Sequence, residues 1–187
     1  MATIAAHPDT PIFVPPDKTF LVSGYLQGFT DGGGLFGGGT LKMADGYWGR
    51  LIYVSGASNV TFRDFKVDGN SPNYSSADAA ASSYNKSLVS GILLQDCSDS
   101  TIENIKIVNW PTNIAIGCRG AGTNNSVLNN SISNSGKEWE SAHPFLWHVT
   151  AIDVGTSNSR VIGNHITNCN DTYITLGSDR DWETRMR

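Results

Sequence analysis

An all-β chain wound as a right-handed parallel β-helix is the fold class this sequence predicts, from two recurring phrases and the spacing between them. The longer phrase returns four times, as NVTFRDFKVDGN (59–70), STIENIKIVNW (100–110), NSVLNNSISNS (125–135) and SRVIGNHITNC (159–169). The shorter reads LIYVSG (51–56), GILLQD (91–96), NIAIGC (113–118), AIDVGT (151–156) and YITLGS (173–178). In each short phrase two aliphatic residues alternate with one outward residue, the period-2 mark of a half-buried strand. A strand–turn–strand unit cannot bury such residues alone, so it must stack, and parallel crossovers take the right hand.

Taken in order, the short phrases predict the inward pairs Ile52/Val54, Ile92/Leu94, Ile114/Ile116, Ile152/Val154 and Ile174/Leu176. The long phrases predict three inward rows: Phe62/Ile102/Val127/Val161, Phe65/Ile105/Asn130/Asn164 and Val67/Ile107/Ile132/Ile166. The middle row turns from apolar to Asn halfway along, and stacked Asn side chains hydrogen-bond from rung to rung. All sixteen Asn lie between Asn59 and Asn170, which favours a ladder over general polarity. Successive inward Ile residues of the short phrase are 40, 22, 38 and 22 positions apart, so the minimal coil has about 22 residues and the chain about six or seven coils. The extra length falls after the third inward row on alternate coils, so two long loops emerge at one corner.

Upstream, GFTDGGGLFGGG (28–39) lacks the GK[ST]-to-helix continuation that phosphate binding needs, and reads as tight turns where the first coils close. Cys97, Cys118 and Cys169 are an odd set without metal spacing and read as small strand-end residues on different rungs. The organisation is thus one domain over 1–187, or a fragment of a longer helix: first coils 12–50, repeated coils 51–178 and a tail 179–187 carrying six charges. That tail is too short and polar to cap the strand before it, so the expectation is either a fragment of a longer helix or identical chains that associate to protect the open end, a homotrimer being one form of this. Only 16% of residues are charged; Ser, Thr, Asn and Gly take their place, as turn-rich β structure requires. A net charge of −4 and a pI near 5.4 argue against nucleic acid as a partner. No apolar run of about 18 residues suggests a membrane span. No secretory leader is visible at the N-terminus, and the expected location is extracellular or on a virion.

Chemistry belongs where the long loops overhang the outward face of the short-phrase strands. The expected outward row is Tyr53, Leu93, Ala115, Asp153 and Thr175, in which Asp153 is the only carboxylate. The loop 134–150 brings Lys137, Glu138, Trp139, Glu140, Trp147 and His148 to that edge, and the loop 69–88 brings Tyr84. Carbohydrate sites combine aromatic platforms for sugar faces with carboxylates that protonate the leaving oxygen or attack the anomeric carbon. The candidate catalytic residues are therefore Asp153, Glu138, Glu140 and His148, to which the family resemblance given next adds Asp171, with Trp139, Trp147, Tyr84 and Lys137 as substrate contacts. Glu138 or Glu140 is the expected proton donor and Asp153 or Asp171 its partner carboxylate.

The repeats, together with IFVPPDKTFLVSGYLQG (12–28), resemble the pectin-lyase-like superfamily of right-handed parallel β-helix proteins, which includes pectate lyases, polygalacturonases, alginate-acting enzymes and phage tailspike depolymerases. In that group the first coil is commonly a strand, a Pro-Gly-Thr-like turn and a second strand; here Asp17 and Lys18 stand where Gly is usual. The resemblance implies a polysaccharide as partner and either hydrolase or lyase activity. A non-catalytic carbohydrate-binding or adhesive solenoid and a structural shaft are the alternatives. Against polygalacturonase motifs, Asp153 and Asp171 match two carboxylates, but Thr150 and Thr172 replace the others and no Gly-His-Gly follows, so that acid/base set is incomplete. No cofactor is implied; Asp153 and Asp171 alone make a thin calcium site.

Overall fold

The computed structural model describes residues 4, 6–47, 49–71, 89–111, 113–136, 149–170 and 172–177. Its strands come in coils. The first has β1 (Pro11–Phe13) and β2 (Thr19–Val22); the second β3 (Gly34–Phe36), β4 (Thr40–Met43) and β5 (Ile52–Ser55); the third β6 (Thr61–Arg63), β7 (Lys66–Asp68) and β8 (Ser90–Gln95). Next come β9 (Thr101–Glu103), β10 (Lys106–Val108) and β11 (Asn113–Arg119), then β12 (Ser126–Leu128), β13 (Ser131–Ser135) and β14 (Val149–Val154). The last has β15 (Arg160–Ile162), β16 (His165–Cys169) and β17 (Thr172–Leu176). From β3 onward every third strand pairs in parallel, and β1 and β2 pair with β3 and β4, giving three sheets: β1-β3-β6-β9-β12-β15, β2-β4-β7-β10-β13-β16 and β5-β8-β11-β14-β17, here sheets A, B and C. The chain is a right-handed parallel β-helix, the hand such crossovers adopt.

The inward rows of the long phrase stack in the expected register. Phe62, Ile102, Val127 and Val161 align across sheet A, and Val67, Ile107, Ile132 and Ile166 across sheet B. Phe62, Val67, Ile102, Ile107, Val127 and Ile132 are fully buried, because each is covered by the coil above and the coil below. Both long connections, β7 to β8 and β13 to β14, join sheet B to sheet C, so they leave the helix at the same corner. Residues 72–88 and 137–148 of those connections lie outside the described residues.

The Asn ladder forms inside the helix at the bend between sheets A and B. Asn130, 1% exposed, donates through Nδ2 to Asn164 Oδ1 (2.9 Å), and the Asn130 backbone N–H reaches the same oxygen (2.9 Å). One rung earlier the Ile105 N–H donates to Asn130 Oδ1 (2.9 Å). A second ladder lines the other end of sheet A: the N–H groups of Val60, Ser100 and Asn125 donate to side-chain oxygens of Ser100, Asn125 and Ser159 on the next rung (3.1, 3.2 and 3.1 Å). At bends these backbone donors have no strand partner, and the stacked side chain supplies one.

Most Asn residues serve elsewhere. Asn59, Asp99, Asn124 and Asn158 form one outer column, and Asp64, Asn104 and Asn129 another, all with φ between 52° and 66°. Among non-glycine residues Asn and Asp tolerate this left-handed backbone best, so stacked corners select them. Asp17 in the first turn, φ 59°, belongs to the same class and explains why it can replace Gly there.

Two expectations change. The glycine-rich segment 28–39 is more than turns: it holds β3, whose Leu35 stacks on Phe62, and leads into β4, where Leu41 stacks on Val67. Gly34 is needed there, since a Cβ would sit 1.8 Å from the Thr61 carbonyl oxygen. In sheet C, β11 sits two residues from the expected alignment: Ile116 and Cys118, not Ile114 and Ile116, align with Ile92 and Leu94. Cys118, small and wholly buried, takes an inward position that an aliphatic count overlooks, while Ile114 aligns with Ser90 and Thr150. The three cysteines are free and lie on different strands or strand ends.

Candidate functional site

The slip of β11 changes the outer row of sheet C. It reads Tyr53, Leu93, Gly117, Asp153 and Thr175, with Gly117 where Ala115 was expected. Ala115 and Ala151 are fully buried and Leu93 is 4% exposed, so the middle of this outer face is covered. Tyr53 at one flank is half-buried and Thr175 at the other is exposed.

Asp153 is 9% exposed. Its Oδ2 accepts from Arg119 Nε (2.8 Å) and from Arg119 Nη2, both bonds running diagonally from β11 to β14. Gly117, directly opposite Asp153, leaves the room: a Cβ there would lie 2.9 Å from Leu93 Cδ1. A carboxyl oxygen that accepts both bonds from Arg119 fits the base or nucleophile role of a carboxylate pair. Its Oδ1 has no partner among the described residues. Arg119 was missed because it follows the inward pattern by one residue and becomes informative only once β11 is in register with β14.

Of the other candidates, Glu138, Glu140, His148, Trp139, Trp147, Lys137, Tyr84 and Asp171 lie outside the described residues. Among the described residues no three His, Cys, Asp or Glu side chains stand close enough to hold a metal ion.

A second constellation lies on the β5 flank. The Arg50 guanidinium carbon sits 4.1 Å from the centre of the Tyr53 ring, and Tyr25 meets Tyr53 edge-on at 6.3 Å. The Tyr47 hydroxyl donates to the Arg50 carbonyl oxygen (2.8 Å). Burial, and next the neighbouring Tyr25, pushes the Tyr47 phenol up to about 12. Leu26 bridges to Ile52, which brings Gln27 beside Tyr53. Sequence reading picked out Tyr53 alone, because Tyr25, Tyr47 and Arg50 sit in irregular segments where no period marks a face.

A solved structure from Parabacteroides merdae, of a protein provisionally named a glycosyl hydrolase, matches 94% of this chain and 84% of its own with a TM-score of 0.56 at 13% identity. At that identity the likeness is one of fold. No family model and no curated protein matches the chain.

Proposed function

We propose that this chain is a carbohydrate-active β-helix of the pectin-lyase-like kind that cleaves a polysaccharide at the outer face of sheet C. The observation that carries the reading is the Arg119–Asp153 pair, a nearly buried carboxylate on the outward row of the sheet at whose edge both long connections arrive. In this reading Glu138 or Glu140 protonates the leaving oxygen, and Asp153 or Asp171 is the partner carboxylate, activating water or attacking the sugar. His148 assists proton transfer, and Trp139, Trp147, Tyr84 and Lys137 hold the chain of sugars. The glycosyl hydrolase name of the structural neighbour supports carbohydrate as the substrate class. We place the protein outside the cell or on a virion, acting as a tailspike-like depolymerase, with trimer formation as its means of covering exposed coil ends.

The test is a panel of acidic and neutral glycans assayed both for new reducing ends and for the ultraviolet absorbance of unsaturated uronates, which separates hydrolase from lyase. Asp153→Asn, which keeps the shape of the side chain, is expected to lower turnover by about 10² or more with the β-type circular dichroism unchanged. Full activity in an Asp153→Asn/Glu140→Gln double variant would move the site elsewhere. A second reading, binding without cleavage, is favoured by the aromatic cluster on the β5 flank; saccharide binding without product in either assay would establish it.

A further inference from the structure

We propose that Arg50, mounted on Tyr53 and bordered by Tyr25, Tyr47 and Gln27, forms a separate subsite for an anionic saccharide, one whose ring carries a carboxylate or a sulfate. The choice of a saccharide rests on the proposed function; the choice of an anion does not.

Arginine carries five N–H donors and cannot lose its charge. Arg50 uses none of them in a hydrogen bond to a described residue, and no carboxylate among the described residues lies within ion-pair distance of it. Its Nε is shut off from water without an acceptor. Such a group carries a desolvation cost, and a guanidinium free to move would swing into solvent to relieve it. Instead the Arg50 guanidinium sits over the ring of Tyr53, which lies edge-on to Tyr25. Tyr47, bonded to the Arg50 carbonyl oxygen, fixes the backbone from which the side chain departs. The result is a cation pinned in place, its fork geometry suited to two-point contact with two oxygens of a carboxylate or a sulfate.

The surroundings fit a sugar ring. Tyr25 is 37% exposed and offers an aromatic surface for the apolar side of a pyranose. Gln27 is exposed beside Tyr53 and has both a donor and an acceptor for ring hydroxyls. The ion pairs among the described residues involve Arg63, Lys66 and Arg119; Arg50 stands outside them, as Lys18, Lys42, Lys106 and Arg160 do, and differs from those in having a buried Nε and an aromatic ring beneath its guanidinium. From Tyr53 to Asp153 is three strand spacings, roughly 14 Å. Leu93 and Gly117 lie between the two on the covered middle of that face, so the subsite stands apart on the β5 flank.

The experiment measures binding to the whole chain by tyrosine and tryptophan fluorescence, with oligogalacturonate, a sulfated galactose oligomer and a neutral galactose oligomer of equal length as probes. The parent protein is expected to bind one or both anionic probes at least tenfold more tightly than the neutral one, with affinity falling as salt rises. Arg50→Gln should abolish that preference; Arg50→Lys, which keeps the charge without the fork, should restore part of it. Tyr25→Ala should weaken anionic and neutral probes alike. Urea midpoints for each variant report on folding, so a lost preference in a folded Arg50→Gln protein supports the subsite. Equal affinity for charged and neutral probes, no binding of any probe, or an Arg50→Gln variant with parental preference would overturn it. Charge-selective binding by the parent protein with no turnover of any glycan would sink the proposed cleavage and leave the subsite standing.

Discussion

Asn130 and Asn124 differ by six positions and carry the same side chain, yet the fold uses them in opposite ways. Asn130 is buried and bonded on both sides, to Ile105 N–H, to the Ile102 carbonyl and to Asn164. Replacing it by Ala leaves buried donors and acceptors unmet, and we expect a loss on the order of 1–3 kcal/mol in urea unfolding. Asn124 is exposed with φ 60° and bonded to Asp99 Oδ1 at 3.1 Å, so its contribution is to the backbone. Asn124→Ala is expected to cost about 1 kcal/mol through the left-handed backbone, whereas Asn124→Gly should restore most of the parental stability. Equal losses from Asn124→Ala and Asn124→Gly would show that the hydrogen bond and not the backbone matters there. Tyr47 yields a pH prediction. Its phenol stays protonated in the fold up to about 12, while in the unfolded chain it ionises near 10.0. The raised value favours the fold fully below pH 10, and that contribution is lost as pH climbs from 10 to 12. The buried thiols of Cys97 and Cys118, pushed up chiefly by desolvation, act in the same sense from a lower starting pH. Urea midpoints at pH 8, 10, 11 and 12 should fall for the parent and fall less steeply above pH 10 for Tyr47→Phe; parallel curves would remove Tyr47 from the account.

At the scale of the element, the coil tolerates corner chemistry more readily than a change in rung spacing. Adjacent parallel strands sit about 4.8 Å apart, so any backbone that must pass directly over another has no space for a side chain. Gly122 shows this most sharply: a Cβ would lie 1.8 Å from the Cys97 carbonyl oxygen. Gly122→Ala therefore has to lift one rung from the next, and a cost of about 1–3 kcal/mol is expected. Gly46 meets nothing within 4 Å but has φ 71°, so Gly46→Ala tests backbone strain alone and should cost less. Thermal or urea unfolding of the two variants decides; a larger loss at Gly46 would count against spacing as the governing constraint. The sheet C strands were legible as elements because aliphatic residues alternate, and β5, β8, β14 and β17 align as expected, but the register of β11 was not legible. Periodicity is indifferent to a shift by two, and what chose the alignment of β11 was the fit of Cys118 between Leu94 and Val154.

Over the whole molecule, stability accumulates coil on coil. Residues of β8 to β11 are covered from both sides, whereas Phe13, Phe20 and Leu21 near the first coil and Ile162, Ile174 and Leu176 in the last are exposed. Opening free energy in such a stack is lowest where a strand has one neighbour. Amide exchange is accordingly expected to be slowest in β9, β10 and β11 and faster by at least tenfold in β1, β2, β15 and β17, a ratio read directly by mass spectrometry of peptic fragments. Uniform protection along the chain would mean that the helix opens as a single unit.

The sequence by itself determined the solenoid, the three inward rows of the long phrase and the internal Asn pair, because each depends on a residue type recurring at a fixed interval. It also placed Asp153 outward. Only the tertiary structure decided that Asp153 is paired with Arg119 and that Arg50 lies stacked on Tyr53 without a hydrogen-bonding partner among the described residues. Those contacts join residues on neighbouring coils or in irregular segments, and their geometry is fixed by which rung lies over which. No period along the chain carries that information, since the repeat that builds the helix is the same whether or not two particular side chains meet across it.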